Sequence, residues 1–165
     1  MDNKIKNRHR LKSKEIKPLQ KQLFNIFEKN FFDEKSKIEI GELNGINLVF
    51  INGEPSFMIY KNSIVMTLNG VIKLQPKKNY VVIDMGAIKY VTNGADVMAP
   101  GIVDADIDII KDQQVWICDE RNHKPLAIGI ALVNGSEMIQ KNSGKSIKVI
   151  HYVGDELWSF VAKSL

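Results

Sequence analysis

The fold of this chain is decided by residues 80–101, which read YVVIDMGAIKYVTNGADVMAPG. The apolar run at 80–83 predicts a strand, and Asp84 after it is a residue type that caps the start of a helix. Gly94 stands where a helix ends in a left-handed residue, because glycine has no Cβ to oppose a positive φ. Pro100-Gly101 predicts a turn. The stretch therefore predicts a strand, a short helix, a second strand and a turn.

The elements on either side of this stretch extend the same domain. Ile88 and Val91 are spaced to form the inward face of the short helix, and the second strand passes through Val97 and Met98. Many short strands with two short helices are typical of a small β-barrel that carries helices at its ends. The elements predicted after residue 101 are strands at 115–118, 126–133 and 147–152 and a helix that Ser136 caps and Gly144 ends.

The N-terminal part predicts an amphipathic helix. Apolar residues recur there at spacings of three and four, which places them on one face. Pro18 is tolerated only near the start of a helix, so the helix is expected to begin between Ser13 and Pro18. The apolar positions are Ile16, Leu19, Leu23, Ile26, Phe27 and Phe31.

After this helix the pattern changes to a period of two, which predicts antiparallel strands. Asn44-Gly45 suits a type I′ hairpin turn, in which both central residues need a positive φ. The same dipeptide recurs at Asn52-Gly53, Asn69-Gly70, Asn93-Gly94 and Asn134-Gly135. Strands are predicted at 46–51, 56–60, 64–68 and 71–74, packed against the helix.

A polar break at 75–79 separates these two patterns. Such breaks are common at domain boundaries. We expect a compact α+β domain at residues 1–75 and a second domain, the small barrel, at residues 76–165.

Positive charge is concentrated at the N-terminus. Residues 1–22 carry eight Lys/Arg against Asp2 and Glu15, whereas residues 76–165 carry ten Lys/Arg against eleven Asp/Glu. The basic run suits phosphate backbones or acidic protein surfaces, and the alternative is a solvated tail. The second domain, by contrast, has no excess of positive charge.

Enzymatic chemistry and membrane insertion are not expected. The three histidines lie apart from any nucleophile, no Walker or dinucleotide glycine pattern is present, and no metal site or cofactor is predicted. Cys118 lies in an apolar run, which predicts a buried thiol in a reduced, cytoplasmic setting. Asp104, Asp106 and Asp108 lack the glycine and glutamate of a calcium loop and are expected at a solvated edge.

Specific residues in the second half resemble the signature of the PUA family. The Gly-Ala-x-Val-Met-x-Pro-Gly core is followed by an Ile-Gly strand and by Gly-Lys and His-Tyr near the end. The whole chain is similar to archaeal proteins that pair a pre-PUA domain with a PUA domain, and to the malignant T-cell amplified protein family. The matching residues are Asp84, Gly86-Ala87, residues 94–98, residues 100–102, Gly129, Gly144-Lys145 and His151.

The resemblance implies an α+β pre-PUA domain followed by a PUA pseudo-β-barrel that binds RNA. It implies a translation-associated factor that contacts ribosomal RNA or a tRNA end. The small ribosomal subunit and a protein bound by the N-terminal domain are the implied partners. The residues implied in RNA binding are Lys89, Asn93, Gly94, Ala95, Met98, Pro100, Gly101, Lys145 and His151.

Two alternatives remain open on the sequence. The chain could be a protein adaptor in which the PUA domain is mainly a scaffold, or an accessory subunit of an RNA-modifying complex. Gly94 and Gly101 could also serve only to end a helix and make a turn.

Overall fold

The structure is a computed structural model that describes residues 4–164. The backbone divides into two compact units. The first holds the residues up to Gln75 and the segment from Phe160 onward, and the second holds Pro76–Ser159. Helices accompany a separate sheet in each unit, which confirms the α+β fold class.

The first unit is built on a five-stranded antiparallel sheet in which each strand pairs with the next along the chain. Its elements are β1 (Lys6–Arg10), α1 (Ser13–Phe27), β2 (Ile38–Leu43), β3 (Ile46–Ile51), β4 (Glu54–Tyr60), β5 (Ser63–Met66) and α2 (Leu68–Leu74).

Two of the predicted Asn-Gly hairpin turns are confirmed. Asn44 and Gly45 have φ of 48° and 85°, and Asn52-Gly53 has nearly the same geometry. Both central residues are left-handed, as the type I′ turn requires. A third turn of this kind, at Lys61-Asn62 between β4 and β5, has φ of 46° and 65°. The sequence did not predict it, because neither residue is glycine.

The prediction of a turn at Asn69-Gly70 followed by a strand is wrong, because these residues lie in α2. Thr67 caps that helix, and its Oγ1 accepts a hydrogen bond of 3.0 Å from the N–H of Gly70. Gly70 lies so close to the main-chain oxygen of Ser56 that a Cβ would overlap it. Capping and close packing on β4 therefore override the local hairpin signal.

α1 begins at Ser13, inside the predicted window, but it ends before Phe31. Glu28 has a φ of 55° and its N–H donates to the carbonyl of Phe24, which ends the helix. The ring of Phe31 nevertheless lies 5.6 Å from that of Phe27, centroid to centroid. Phe31 therefore packs on an apolar residue of the helix, as its spacing predicted, but from a position beyond the helix end.

Part of the basic run is a strand. β1 pairs antiparallel with β2, and Leu11 directly after it is buried. The guanidinium of Arg8 lies 4.0 Å from the ring centroid of Phe50, and its Nη2 lies 3.1 Å from Oε1 of Glu39. The hydrogen bond from Arg8 holds the pKa of Glu39 below its ordinary value. Residues 6–10 thus belong to the sheet and not to a free tail.

The second unit contains a six-stranded sheet in the order β7-β11-β10-β9-β6-β8. β6 and β9 are parallel, and the other neighbours are antiparallel. Its elements are β6 (Tyr80–Ile83), α3 (Ile88–Val91), β7 (Val97–Met98), β8 (Ile102–Ala105), β9 (Gln114–Asp119), β10 (Pro125–Ala131), α4 (Gly135–Met138) and β11 (Lys145–Tyr152), with 3-10 turns at Met85–Ala87 and Ala99–Gly101. α5 (Glu156–Val161) begins in this unit, and its end and the 3-10 turn Ala162–Ser164 belong to the segment from Phe160 onward, which is grouped with the first unit.

Two local predictions in this unit are corrected. α4 begins one residue before Ser136 and ends at Met138, so Gly144 does not terminate it. Gly144 has a φ of 93° and lies in the turn before β11. Asp106 is buried and not solvated, because its Oδ2 accepts a hydrogen bond of 2.7 Å from the N–H of Asn79. Its neighbours Asp104 and Asp108 are exposed, as predicted.

Candidate functional site

A cleft of about 640 Å³ opens on the second unit. It is bounded by the segment from the end of β6 through α3, by β7 and the turn after it, and by the first residue of β11. The residues that line it are Asp84, Gly86, Ala87, Tyr90, Val91, Ala95, Asp96, Val97, Met98, Pro100, Gly101 and Lys145.

The two walls of the cleft are joined at Asp84. Its Oδ1 accepts a hydrogen bond of 2.8 Å from the N–H of Ala87, which confirms its predicted role as a cap. Its own N–H donates to the carbonyl of Gly101 at 2.9 Å. A Cβ on Gly101 would lie 3.2 Å from the Cβ of Ala87, so glycine permits the two walls to pack closely.

Gly94 ends the helical segment, as predicted. Its φ is 86°, and its N–H donates to the carbonyl of Val91 at 3.0 Å. A Cβ at this position would approach the ring of Tyr152 to 3.0 Å. Gly94 therefore has a structural reason to be glycine that does not depend on a ligand.

The predicted binding residues fall into three groups. Those that line the cleft are Ala95, Met98, Pro100, Gly101 and Lys145. Lys89, Asn93 and Gly94 flank it at α3 and at the end of the helical segment, and Nδ2 of Asn93 donates to the carbonyl of Lys89 at 2.8 Å. His151 is separate from both groups, because its side chain is fully buried.

His151 takes part in a buried hydrogen-bond network. Its Nδ1 lies 2.9 Å from Oδ2 of Asp155, which also accepts from the N–H of Tyr152, while Oδ1 accepts from the N–H of Trp158. Burial raises the pKa of Asp155, but the hydrogen bonds from His151 and the main chain outweigh it and hold the pKa below its ordinary value. The network fixes the start of α5 against β11.

Tyr90 is the residue that sequence reasoning missed. Its side chain is 58% exposed at the cleft, and Met98, which also lines the cleft, is 46% exposed. Nζ of Lys89 lies 5.1 Å from the centroid of the Tyr90 ring. The helical spacing that turns Ile88 and Val91 inward also turns Tyr90 outward, so the pattern contained the signal.

The charges around the cleft are mixed. Nζ of Lys145 lies 3.4 Å from Oδ2 of Asp96, and Oδ1 of Asp96 accepts from the N–H of Val149 at 3.1 Å. Lys89, next to Tyr90 in the chain, is exposed. An exposed aromatic ring in a cleft that also has lysines suits a ligand that has flat rings and phosphates.

Other candidate chemistry lies away from this cleft. Cys118 is buried as predicted, and burial raises the pKa of its thiol to about 12, so the thiol stays protonated at neutral pH. Among residues 4–164, side chains that bind metals do not gather in groups of three or more. No helix in that range is both long and apolar enough to cross a membrane.

The fold and the matched families define the class of protein. A family model described as "PUA domain" matches residues 79–153, and one described as "Domain of unknown function (DUF1947)" matches residues 7–74. The chain is a PUA-domain protein, and the PUA domain indicates RNA binding. The predicted architecture, an α+β domain followed by a PUA barrel, is confirmed.

Full-length relatives identify the family. An uncharacterized protein of Methanocaldococcus jannaschii is 42% identical over 94% of this chain and 98% of its own length. Translation machinery-associated protein 20 of Saccharomyces cerevisiae is 32% identical over 94% and 93%. The crystal structure of a hypothetical protein from Pyrococcus horikoshii superposes with a TM-score of 0.87 at 35% identity, covering 93% of this chain and 99% of that one.

The chain belongs to the family of PUA proteins that includes translation machinery-associated protein 20 and malignant T-cell-amplified sequence 1. The resemblance drawn from the sequence is thereby confirmed.

Proposed function

We propose that this protein binds a single-stranded RNA end in the cleft of its second unit, as a factor that acts with the translation machinery. The observation that carries the proposal is the exposed ring of Tyr90 in a cleft that Lys145 also lines, with Nζ of Lys89 5.1 Å from the ring centroid. An unpaired base can stack on the ring while the lysines contact neighbouring phosphates.

The balance of charge favours stacking over electrostatic binding. The second half of the chain carries no net positive charge, and Lys145 is already paired with Asp96. Stacking of one base on an aromatic side chain contributes about 1–3 kcal/mol by alanine substitution. A single-stranded end exposes its bases for such contacts, whereas a duplex does not.

The names of the relatives support a role in translation. Curated relatives from Schizosaccharomyces pombe and Saccharomyces cerevisiae are called translation machinery-associated protein 20. The proposed setting is therefore the cytoplasm, at a tRNA end or at ribosomal RNA of the small subunit. The first unit, with its basic β1 and the exposed lysines Lys14, Lys17 and Lys21 of α1, is the surface proposed for phosphate backbones or a protein partner.

The proposal is tested by binding of labelled tRNA, followed by fluorescence anisotropy. Intact tRNA should bind more tightly than tRNA from which the single-stranded 3′ end has been removed. Tyr90→Ala should weaken binding of intact tRNA roughly 5- to 150-fold, which corresponds to the loss of one stacked base. Tyr90→Phe, which keeps the ring, should bind like the wild type.

Lys145→Ala tests the charged flank, and Lys124→Ala is its matched control, because Lys124 is an exposed lysine outside the cleft. The first substitution should weaken binding and reduce its salt dependence, and the second should not. If the wild type and Tyr90→Ala bind with the same affinity, and each binds intact and shortened tRNA equally well, the RNA site does not lie in this cleft. Crosslinking with sequencing of bound RNA in cells then decides between tRNA and ribosomal RNA.

A further inference from the structure

A second exposed surface lies at β8 and the loop that follows it. Within residues 103–112, Val103, Ile107 and Ile110 are 48%, 64% and 60% exposed. None of these three residues is among those that line the cleft. Three large aliphatic side chains exposed in so short a segment are unusual, because isolated exposed aliphatics are common but groups of them mark interaction sites.

The loop that carries these side chains is held in place from within. Oδ1 of Asp106 accepts a hydrogen bond of 3.0 Å from the N–H of Asp108. The main-chain carbonyl of the buried Ile109 accepts one of 2.9 Å from the N–H of Gly135. The N–H of Asp112 donates to the carbonyl of Ala131 at 2.8 Å.

Ile107 and Ile110 are therefore presented by a loop that is fixed to neighbouring segments. Ile109, between them, is 1% exposed and belongs to the core of the unit. A surface that is already ordered loses little conformational entropy when a partner binds. The exposure of the two isoleucines is thus a property of the folded unit.

The polar residues of this segment give the surface a negative charge. Asp104, Asp108 and Asp112 are exposed, and Lys111 is the only basic residue within 103–112. Asp108 is paired with Lys78 at 3.3 Å. Phosphate backbones and anionic lipid surfaces are repelled by such a surface, whereas lysine or arginine side chains are attracted to it.

We infer that this surface, defined by Ile107 and Ile110 with Asp104, Asp108 and Asp112, docks a basic segment of another protein. The segment carries aliphatic side chains that cover the two isoleucines and lysines or arginines that pair with the carboxylates. Apolar contact at the centre and charge at the edge is the usual arrangement of protein interfaces. The second unit would then bind RNA on one surface and a protein on another.

The probe for this surface is a synthetic peptide of alternating lysine and valine, blocked at both ends and labelled with fluorescein. Binding to the full-length protein is measured by fluorescence anisotropy. Two control peptides replace lysine by glutamate or valine by serine. The lysine-valine peptide should bind at least about tenfold more tightly than either control, because both charge and apolar contact are needed.

Two sets of variants locate the binding. The double variant Ile107→Ser, Ile110→Ser should bind the lysine-valine peptide at least about tenfold more weakly than the wild type. Ile139→Ser is the matched control, since Ile139 is 46% exposed outside this segment, and it should leave binding unchanged. Asp108→Asn with Asp112→Asn keeps the size of both side chains and should weaken binding mainly at low salt.

RNA binding of the same variants separates this inference from the proposed function. The isoleucine variant should bind tRNA like the wild type, whether or not the cleft is the RNA site. Peptide binding that neither set of variants alters would overturn the inference. Loss of RNA binding in the isoleucine variant would also overturn the inference, because the surface would then bind RNA. Loss of self-association of that variant in sedimentation would overturn it as well, because the surface would then be a contact between copies of this chain.

Discussion

Replacement of Asp155 by alanine tests whether His151 has a structural role or contacts RNA. The carboxylate of Asp155 accepts hydrogen bonds from the ring of His151 and from the main-chain N–H groups of Tyr152 and Trp158. Its removal leaves the first turn of α5 without this acceptor and a fully buried imidazole without its partner.

The expected loss of stability follows from these two effects. A lost helix cap lowers stability by about 1 kcal/mol, and a buried polar group left without a partner by about 1–3 kcal/mol. We therefore expect Asp155→Ala to lose about 2–4 kcal/mol, which lowers Tm by roughly 5–15 °C for a chain of this length. Asp155→Asn keeps one acceptor oxygen and should lose less.

The pH dependence of stability has a definite sign. The pKa of Asp155 is lower in the folded state than its ordinary value, so its ionised form stabilises the fold. This contribution is present above the unfolded pKa and is lost as the pH falls through the folded pKa. Asp155→Asn should therefore show a smaller loss of stability on acidification than the wild type.

Stability is measured by urea unfolding, with Asp108→Ala as the control for an exposed carboxylate. RNA affinity is measured at a temperature at which the variant is folded, and it should be unchanged because the His151 ring is buried. A loss of less than about 0.5 kcal/mol for Asp155→Ala would refute the reasoning about the network. A folded variant that no longer binds RNA would instead restore His151 to the RNA site.

Three further predictions concern the rest of the chain. Gly70→Ala should destabilise the first unit by about 1–3 kcal/mol in urea unfolding, because its Cβ would overlap the carbonyl oxygen of Ser56. The control Gly45→Ala has open space around its Cβ and should show only the smaller strain of its left-handed φ. Lys6→Ala with Arg10→Ala should reduce the salt slope of RNA binding by about 0.7 for each phosphate that is no longer neutralised. An unchanged slope would mean that the basic strand has no role in binding. Deletion of residues 1–12 is not a suitable variant, because it removes β1. Limited proteolysis should cut first near residues 75–79, at the proposed domain boundary, and first cuts inside β3 or β10 would contradict two independently folded units.

Elements whose signals are local were predictable from the sequence. The turn at Asn44-Gly45, the cap at Asp84 and the helix end at Gly94 depend on the φ preferences and side-chain acceptors of the residues themselves. The alternation of apolar residues located most strands, and residues 94–101 within the PUA signature led to the correct family. These features are encoded over a few residues, so they can be read without knowledge of any distant neighbour.

Elements that depend on distant partners were decided only by the tertiary structure. Residues 68–74 form a helix because Gly70 packs on the main chain of Ser56, and residues 6–10 form a strand because β2 offers an edge. Asp106 is buried because the N–H of Asn79, far away in sequence, donates to it.

The cleft itself is also a product of tertiary structure. Met98 and Lys145 meet in its lining because β7 pairs with the start of β11, which is remote from it along the chain. His151 belongs to the same strand as Lys145, yet its side chain is buried while that of Lys145 is exposed. The sequence determined which residue types were present for the proposed RNA binding, and only packing of the strands decided which of them face the solvent, since exposure depends on neighbours that are distant in sequence.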